Sequence, residues 1–166
     1  MKFSDIASGT QLFLDANTFV YHIVSGPTLQ MPCENLLERI TQDDIAGFTC
    51  SDVLSDVAHR LMTYEAADLY GWPMPGIVYK LQQQPDKVKS LAKFRQAIED
   101  IPKFGVQVLA VEVAHVVAAA ALSQQHGLLS GDALIAAVMQ ANNLTNIASN
   151  DADFDRVPGI NRYAPA

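Results

Sequence analysis

Cysteine is almost missing from this chain of 166 residues, with only Cys33 and Cys50 present. They lie too far apart for a CxxC unit and neither joins a histidine at metal-ligand spacing, so neither a disulfide framework nor a zinc site organises the fold. Idle thiols in a reducing compartment are what the pair implies. Positive charge is also scarce. Eleven Lys and Arg against eighteen Asp and Glu leave a formal charge of −7, which argues against a protein that coats nucleic acid by bulk attraction. No apolar run approaches the ~20 residues of a membrane span. The opening MKFSDIASGTQ lacks the apolar stretch of an export signal, so a cytoplasmic protein without a membrane partner is expected. Internal repeats, heptads and low-complexity segments are lacking too.

What is present fits a compact globule, with 49% apolar and 17% charged residues over one domain's length, 1–166. The charge is unevenly spread. Six of the eleven basic residues (Lys80, Lys87, Lys89, Lys93, Arg95, Lys103) fall in one stretch, whereas 104–155 contains none. That later stretch still carries Glu112, Asp132, Asp151, Asp153 and Asp155, which need solvent, distant partners or a cation.

The elements alternate. Short apolar runs at 11–14, 47–50, 106–111 and 145–148 read as strands, with a last one expected at 161–163. Helical spacing is expected from Asn17, as its cap, to Val24, then at 34–40, from Ser51 or Asp52 to about Tyr64, at 88–101, at 113–125 and at 132–142. Ser25-Gly26-Pro27, the Gly71–Gly76 segment, Pro102 and Gly127 punctuate them. Strands separated by helices predict an α/β fold, a central mainly parallel sheet flanked by helices on both faces. The strand order is not readable from these spans.

Acids stand at the ends of several elements: Asp15 after the first strand, Asp56 one turn into the next strand's helix, Asp132 in a helix's first turn, Asp151 and Asp153 after the fourth strand. In an open parallel sheet, sites form beyond the carboxyl ends of the strands. Carboxylates converging there repel unless a cation neutralises them, and oxygen-only ligands suit Mg²⁺ or Mn²⁺. Each acid also has a plainer use, Asp132 as a complement to the helix dipole and Asp15 as a turn residue.

The string Phe13-Leu14-Asp15-Ala16-Asn17-Thr18 resembles the opening motif of PIN domains, an apolar pair followed by Asp-x-Asn/Ser/Thr. Thr49 to Val57 is similar to the second motif, with Asp56 where Glu is usual. Gly131-Asp132-Ala133-Leu134-Ile135-Ala136-Ala137 resembles the third, and Ser149-Asn150-Asp151-Ala152-Asp153-Phe154 the fourth, with Ser149 where Thr is usual. The motifs come in family order and span nearly the whole chain.

The resemblance implies a PIN fold in a single domain, 1–166, with a longer basic helical and loop insertion at 65–103. It implies a divalent-metal-dependent ribonuclease of the VapC-like toxin type, hydrolysing RNA phosphodiesters and held in check by an antitoxin protein. Asp15, Asp56, Asp132 and Asp151 would be the catalytic acids. Asp15, Asp132, Asp151 and Asp153 would hold Mg²⁺ or Mn²⁺, with Asp153 as an accessory that holds a water or orients a ligand.

Asn17 is a candidate for contact with metal-bound water or phosphate beside its expected use as a cap. Lys87, Lys89 and Lys93 are candidates to grip RNA phosphates, against the default of a solvated charged face; Lys89, Lys93 and Lys103 are expected along one helical face. Trp72 and Tyr79 could stack on bases, although packing in the core or across a homodimer is their plainer use. The four histidines are read as structural or surface groups, Asp155 and Glu112 as solvated, and Asp52 as a first-turn acid.

Two rivals remain. A catalytically degenerate PIN-like module would bind RNA or a protein partner without turnover, and Asp56 in place of Glu favours it. A phosphotransferase of the haloacid dehalogenase type would want Asp-x-Asp-x-Thr/Val, where Asn17 and Phe19 stand instead.

Overall fold

The computed structural model describes residues 1–24 and 26–165, so Ser25, part of the expected helix stop, lies outside the described residues. Five strands form one sheet: β1 (Gln11–Leu14), β2 (Ala46–Cys50), β3 (Gln107–Leu109), β4 (Asn146–Ala148) and β5 (Asn161–Tyr163). Their order is β3-β2-β1-β4-β5 and all four pairings are parallel. Phe13 sits at the centre of the sheet, opposite Phe48 on one side and Ile147 on the other.

The chain runs outward from β1 through β2 to β3, then crosses back to β1's other edge for β4 and β5. Because parallel crossovers are right-handed, this reversal puts the helices of the two legs on opposite faces. One leg carries α1 (Ala16–Val24), α2 (Pro27–Thr41) and α3 (Ser51–Tyr70). The other carries α7 (Val113–His126), closed by left-handed Gly127, and α8 (Ser130–Ala141). The fold class expected from alternation holds.

Burial follows the pattern. Leu12, Phe13 and Leu14 are fully buried and pack with Phe19, Leu36, Leu37 and Ile40 from one face and Val138 and Met139 from the other. β2 lies so close to α2 that a Cβ on Gly47 would stand 2.9 Å from the Ile40 side chain, so this strand position admits no larger residue without repacking. Cys33 and Cys50 are free and buried, and burial pushes the Cys33 thiol up to about 12, which keeps it inert.

Several boundaries differ from expectation: α2 begins at Pro27 rather than at 34, because proline suits a helix's first turn, and β3 is shorter than 106–111. α3 runs to Tyr70 rather than Tyr64, because Gly71 in the left-handed region supplies its stop. The stretch where one helix is expected at 88–101 is divided between the end of α5 (Pro85–Lys89), α6 (Lys93–Asp100) and a 3-10 turn from Ile101, and α4 (Ile77–Gln83) precedes them as a helix the pattern does not announce. Pro85 starts a new helix, and the buried Glu65 carboxylate accepts the backbone N–H groups of Ala92 (3.1 Å) and Lys93 (2.9 Å), fixing the start of α6 from 27 residues away. These helices pack on the far half of α3 through a small cluster containing Ala66, Ile77, Leu81 and Leu91. Among the described residues no helix is long and apolar enough to cross a membrane.

Candidate metal centre and nucleic-acid cleft

The reversal of strand order lies between β1 and β4, the place where an open parallel sheet leaves a crevice at its carboxyl edge. A cleft of about 830 Å³ occupies that place. Asp15, the residue after β1, is its buried floor, with its N–H donating to the Ala148 carbonyl at 3.1 Å. Threonine hydroxyls bind the strand ends together: Thr49 donates to Leu14 O at 3.0 Å and Thr18 to Ala148 O at 3.2 Å.

Asp15 is held on both oxygens. Oδ1 accepts the Ala16 N–H at 2.6 Å, while Oδ2 accepts the Asn17 amide at 2.6 Å and the Ser149 hydroxyl at 2.6 Å. Burial raises its pKa, and the Ser149 and Ala16 hydrogen bonds and the field of Arg60 oppose that rise. Ser149 is fully buried and also accepts the Asp151 N–H at 3.0 Å, so one hydroxyl links the first and fourth motifs.

Asn17 does not cap α1. It is the helix's second residue, and its carbonyl oxygen accepts the Asn150 N–H at 3.1 Å while its amide serves Asp15. The cap is Asp15 itself, through its carboxylate on Ala16.

Asp132, in the first turn of α8, is half-buried and its pKa is raised to about 6, first by desolvation and then by the carboxylates of Asp151, Asp15 and Asp153. The neighbouring carboxylates add to the rise that burial begins, and the field of Arg60 opposes it. Asp151 caps a short 3-10 turn by accepting the Asp153 N–H at 2.9 Å, and Asp153 pairs with Arg156 at 2.9 Å. Asp56, in the second turn of α3, reaches the cleft wall but pairs with Arg60 at 2.8 Å. Asp52 lines the same wall.

The donor set is all oxygen and suits a hard divalent ion. Among the described residues no three His, Cys, Asp or Glu side chains stand close enough to share one ion. Local partners account for this: Asp15 is fully hydrogen-bonded, Asp56 is drawn to Arg60 and Asp153 to Arg156.

Lys87, Lys89 and Lys93 do not line this cleft. Lys87 lies 4.1 Å over the Tyr70 ring, Lys89 pairs with Asp86 at 2.8 Å and Lys93 with Asp68 at 3.5 Å. Lys89 belongs to α5, Lys93 to α6 and Lys103 to a separate 3-10 turn, so the expected single lysine face is divided by the break at 90–92. Trp72 packs on Tyr70, 4.9 Å between ring centroids.

Several residues that line the cleft are given no site role by the sequence. His59 and Arg60 line the wall with Tyr21 and Asn150. Arg60 had a readable signal, four residues beyond Asp56 and so on one helix face with it. Asp155 is not merely solvated but pairs with Arg162 at 2.8 Å, and Arg162 also donates to the Ser149 carbonyl at 3.3 Å. Glu112 is the N-cap of α7, its N–H donating to His115 Nδ1 at 3.0 Å.

Similarity to solved structures spans nearly the whole fold. Rickettsia felis VapBC2 bound to a DNA fragment from its promoter matches at TM-score 0.57 with 18% identity over 93% of this chain and 98% of that one. A Klebsiella pneumoniae toxin–antitoxin complex matches at 0.54 and 16% identity, over 90% and 95% of the two chains. Mycobacterium tuberculosis VapC20, a sarcin-ricin-loop-cleaving toxin, matches at 0.58 and 16% identity, over 87% and 92%. No curated protein matches the chain. At such identities these likenesses speak to the fold. The model of the PIN domain matches residues 12–160, and the chain belongs to the PIN-domain family.

Proposed function

We propose that this protein is a divalent-metal-dependent ribonuclease, the toxin of a toxin–antitoxin pair, acting on RNA in the cytoplasm and restrained by an antitoxin protein. The observation that carries the reading is the mutual field of Asp15, Asp132, Asp151 and Asp153 at the sheet's switch point, strong enough to help raise Asp132 to about 6. Asp15, Asp132 and Asp151 would hold Mg²⁺ or Mn²⁺, with Asp153 as accessory. Bound there, such an ion supplies Lewis-acid polarisation of a phosphodiester and activation of a water.

The chain's own residues have separate parts. Ser149 and Asn17 orient Asp15, and the buried floor excludes competing water from its bound faces. Asp56, shorter than the usual Glu, acts at one remove and is catalytic through its position on the α3 wall. Lys87, Lys89 and Lys93 are assigned to RNA outside the cleft. The ion pairs of Lys89 and Lys93 are exposed and worth little, so a phosphate can displace their carboxylates.

The degenerate-module reading has one observation in its favour, the capture of Asp56 by Arg60. Incubating mixed RNA with Mg²⁺ or Mn²⁺, with EDTA as control, separates the two. Metal-dependent cleavage is expected, and Asp15→Asn should lower the rate at least ~100-fold, since it removes a charged ligand. A folded Asp15→Asn variant that cleaves at the parent rate refutes the metal-centre assignment, while RNA binding without any turnover selects the degenerate module.

A further inference from the structure

Among the residues lining the acidic cleft, Arg60 is the one Lys or Arg, facing Asp15, Asp52, Asp56, Asp132 and Asp151. No basic residue in 104–155 can supply another from the α7–α8 side. Its Nε pairs with Asp56 at 2.8 Å, and its field reaches across the cleft, opposing the rise that burial imposes on both Asp15 and Asp132. The side chain is 46% exposed, so solvent and ligands can reach the donors that Asp56 does not use. A guanidinium offers five donors, of which the Asp56 contact uses one.

Resting on the ribonuclease reading above, we propose that Arg60 is an exchangeable counter-ion: it neutralises Asp56 and its acidic neighbours while the cleft holds no divalent ion, and grips an RNA phosphate once an ion takes over that charge. A fixed cation among carboxylates opposes a second cation electrostatically and competes for Asp56. The same cation is what a polyanion needs to enter a cleft of five acids, and a planar fork suits phosphate. The two functions have opposite signs on metal and RNA, which separates them from a structural role.

Mn²⁺ binding is measured by electron paramagnetic resonance, and binding of a fluorescein-labelled mixed-sequence single-stranded RNA by anisotropy in Ca²⁺ buffer. Arg60→Met should bind Mn²⁺ roughly three- to tenfold more tightly, the range expected for removing one partly screened charge. It should bind RNA at least about fivefold more weakly, with a shallower salt dependence. Arg60→Lys keeps the charge without the fork, so it should leave Mn²⁺ affinity near the parent's and recover RNA binding only in part. Mn²⁺ affinity that stays level or falls in Arg60→Met, or RNA affinity unchanged in it, overturns the proposal. A parent that binds both Mn²⁺ and RNA with these responses yet cleaves nothing sinks only the ribonuclease reading. A parent that binds no Mn²⁺ overturns both.

Discussion

Asp132 keeps its proton to about pH 6 in the folded protein, whereas the same carboxyl ionises near 3.8 when unperturbed. Between those values the folded state holds a proton that the unfolded chain has lost, so this group lowers stability as pH rises through the window and leaves it lower above it. The shift corresponds to about 3 kcal/mol at most, and to roughly half of that once solvent screening of a half-buried group is allowed for. Asp15 pushes in the same direction. Asparagine mimics the protonated acid. Asp132→Asn should therefore melt like the parent near pH 4 and gain about 1–2 kcal/mol over it at pH 7 without metal. A parent-to-variant difference constant from pH 4 to 7 in urea melts contradicts the repulsion argument. The single residues were legible in the sequence to differing degrees. Asp15, Asp132 and Asp151 were marked by what stands before and after them, but the raised proton affinity of Asp132 comes from acids up to 117 positions away, which spacing cannot report.

At the scale of elements, β1 and the end of α7 were readable because their signals are local, an apolar run before Asp15 and the glycine at 127. The segment from Glu65 to Lys103 was not, because its decisive contact is remote. Ala92 offers no side-chain cap to α6, and a continuous helical pattern hides the break. Glu65, buried on α3, supplies the missing acceptor and so determines where the helix begins. Glu65→Ala should cost about 1–2 kcal/mol, the loss of a charged cap whose freed N–H groups turn partly to water. Amide exchange should accelerate across α5 and α6, while Mn²⁺ binding in the cleft is unaffected. Glu65→Gln, which keeps one acceptor oxygen, should lose less. A stability change within about 0.5 kcal/mol for Glu65→Ala means that its carboxylate does not hold the start of α6.

The whole molecule is divided by its own topology. Asp15 follows the strand from which the chain runs outward, Asp56 sits on that leg's α3, and Asp132 and Asp151 belong to the leg that returns. This meeting at the switch point was only half legible: alternation announced a parallel sheet, but nothing in the local pattern tells that β4 returns beside β1, the step that turns scattered acids into one cleft. A cation shared among these acids would bridge the two legs and would be bound by the folded state alone, since the unfolded chain scatters its ligands. Linkage then fixes the size of the effect. At 100 times its dissociation constant, Mn²⁺ should stabilise the fold by about 2.7 kcal/mol. For a chain of this length that is a rise in Tm of roughly 5–10 °C, and it should shrink as pH falls through about 6, where Asp132 takes a proton in place of the metal. Asp15→Asn and Asp132→Asn should each abolish most of the rise, whereas Glu65→Ala, 27 residues from the α6 start it caps and outside the cleft, should keep it. A melting scan flat to several millimolar Mn²⁺ at pH 7.5 means that the acids do not act together, and the cleft is then a negatively charged groove rather than a metal centre.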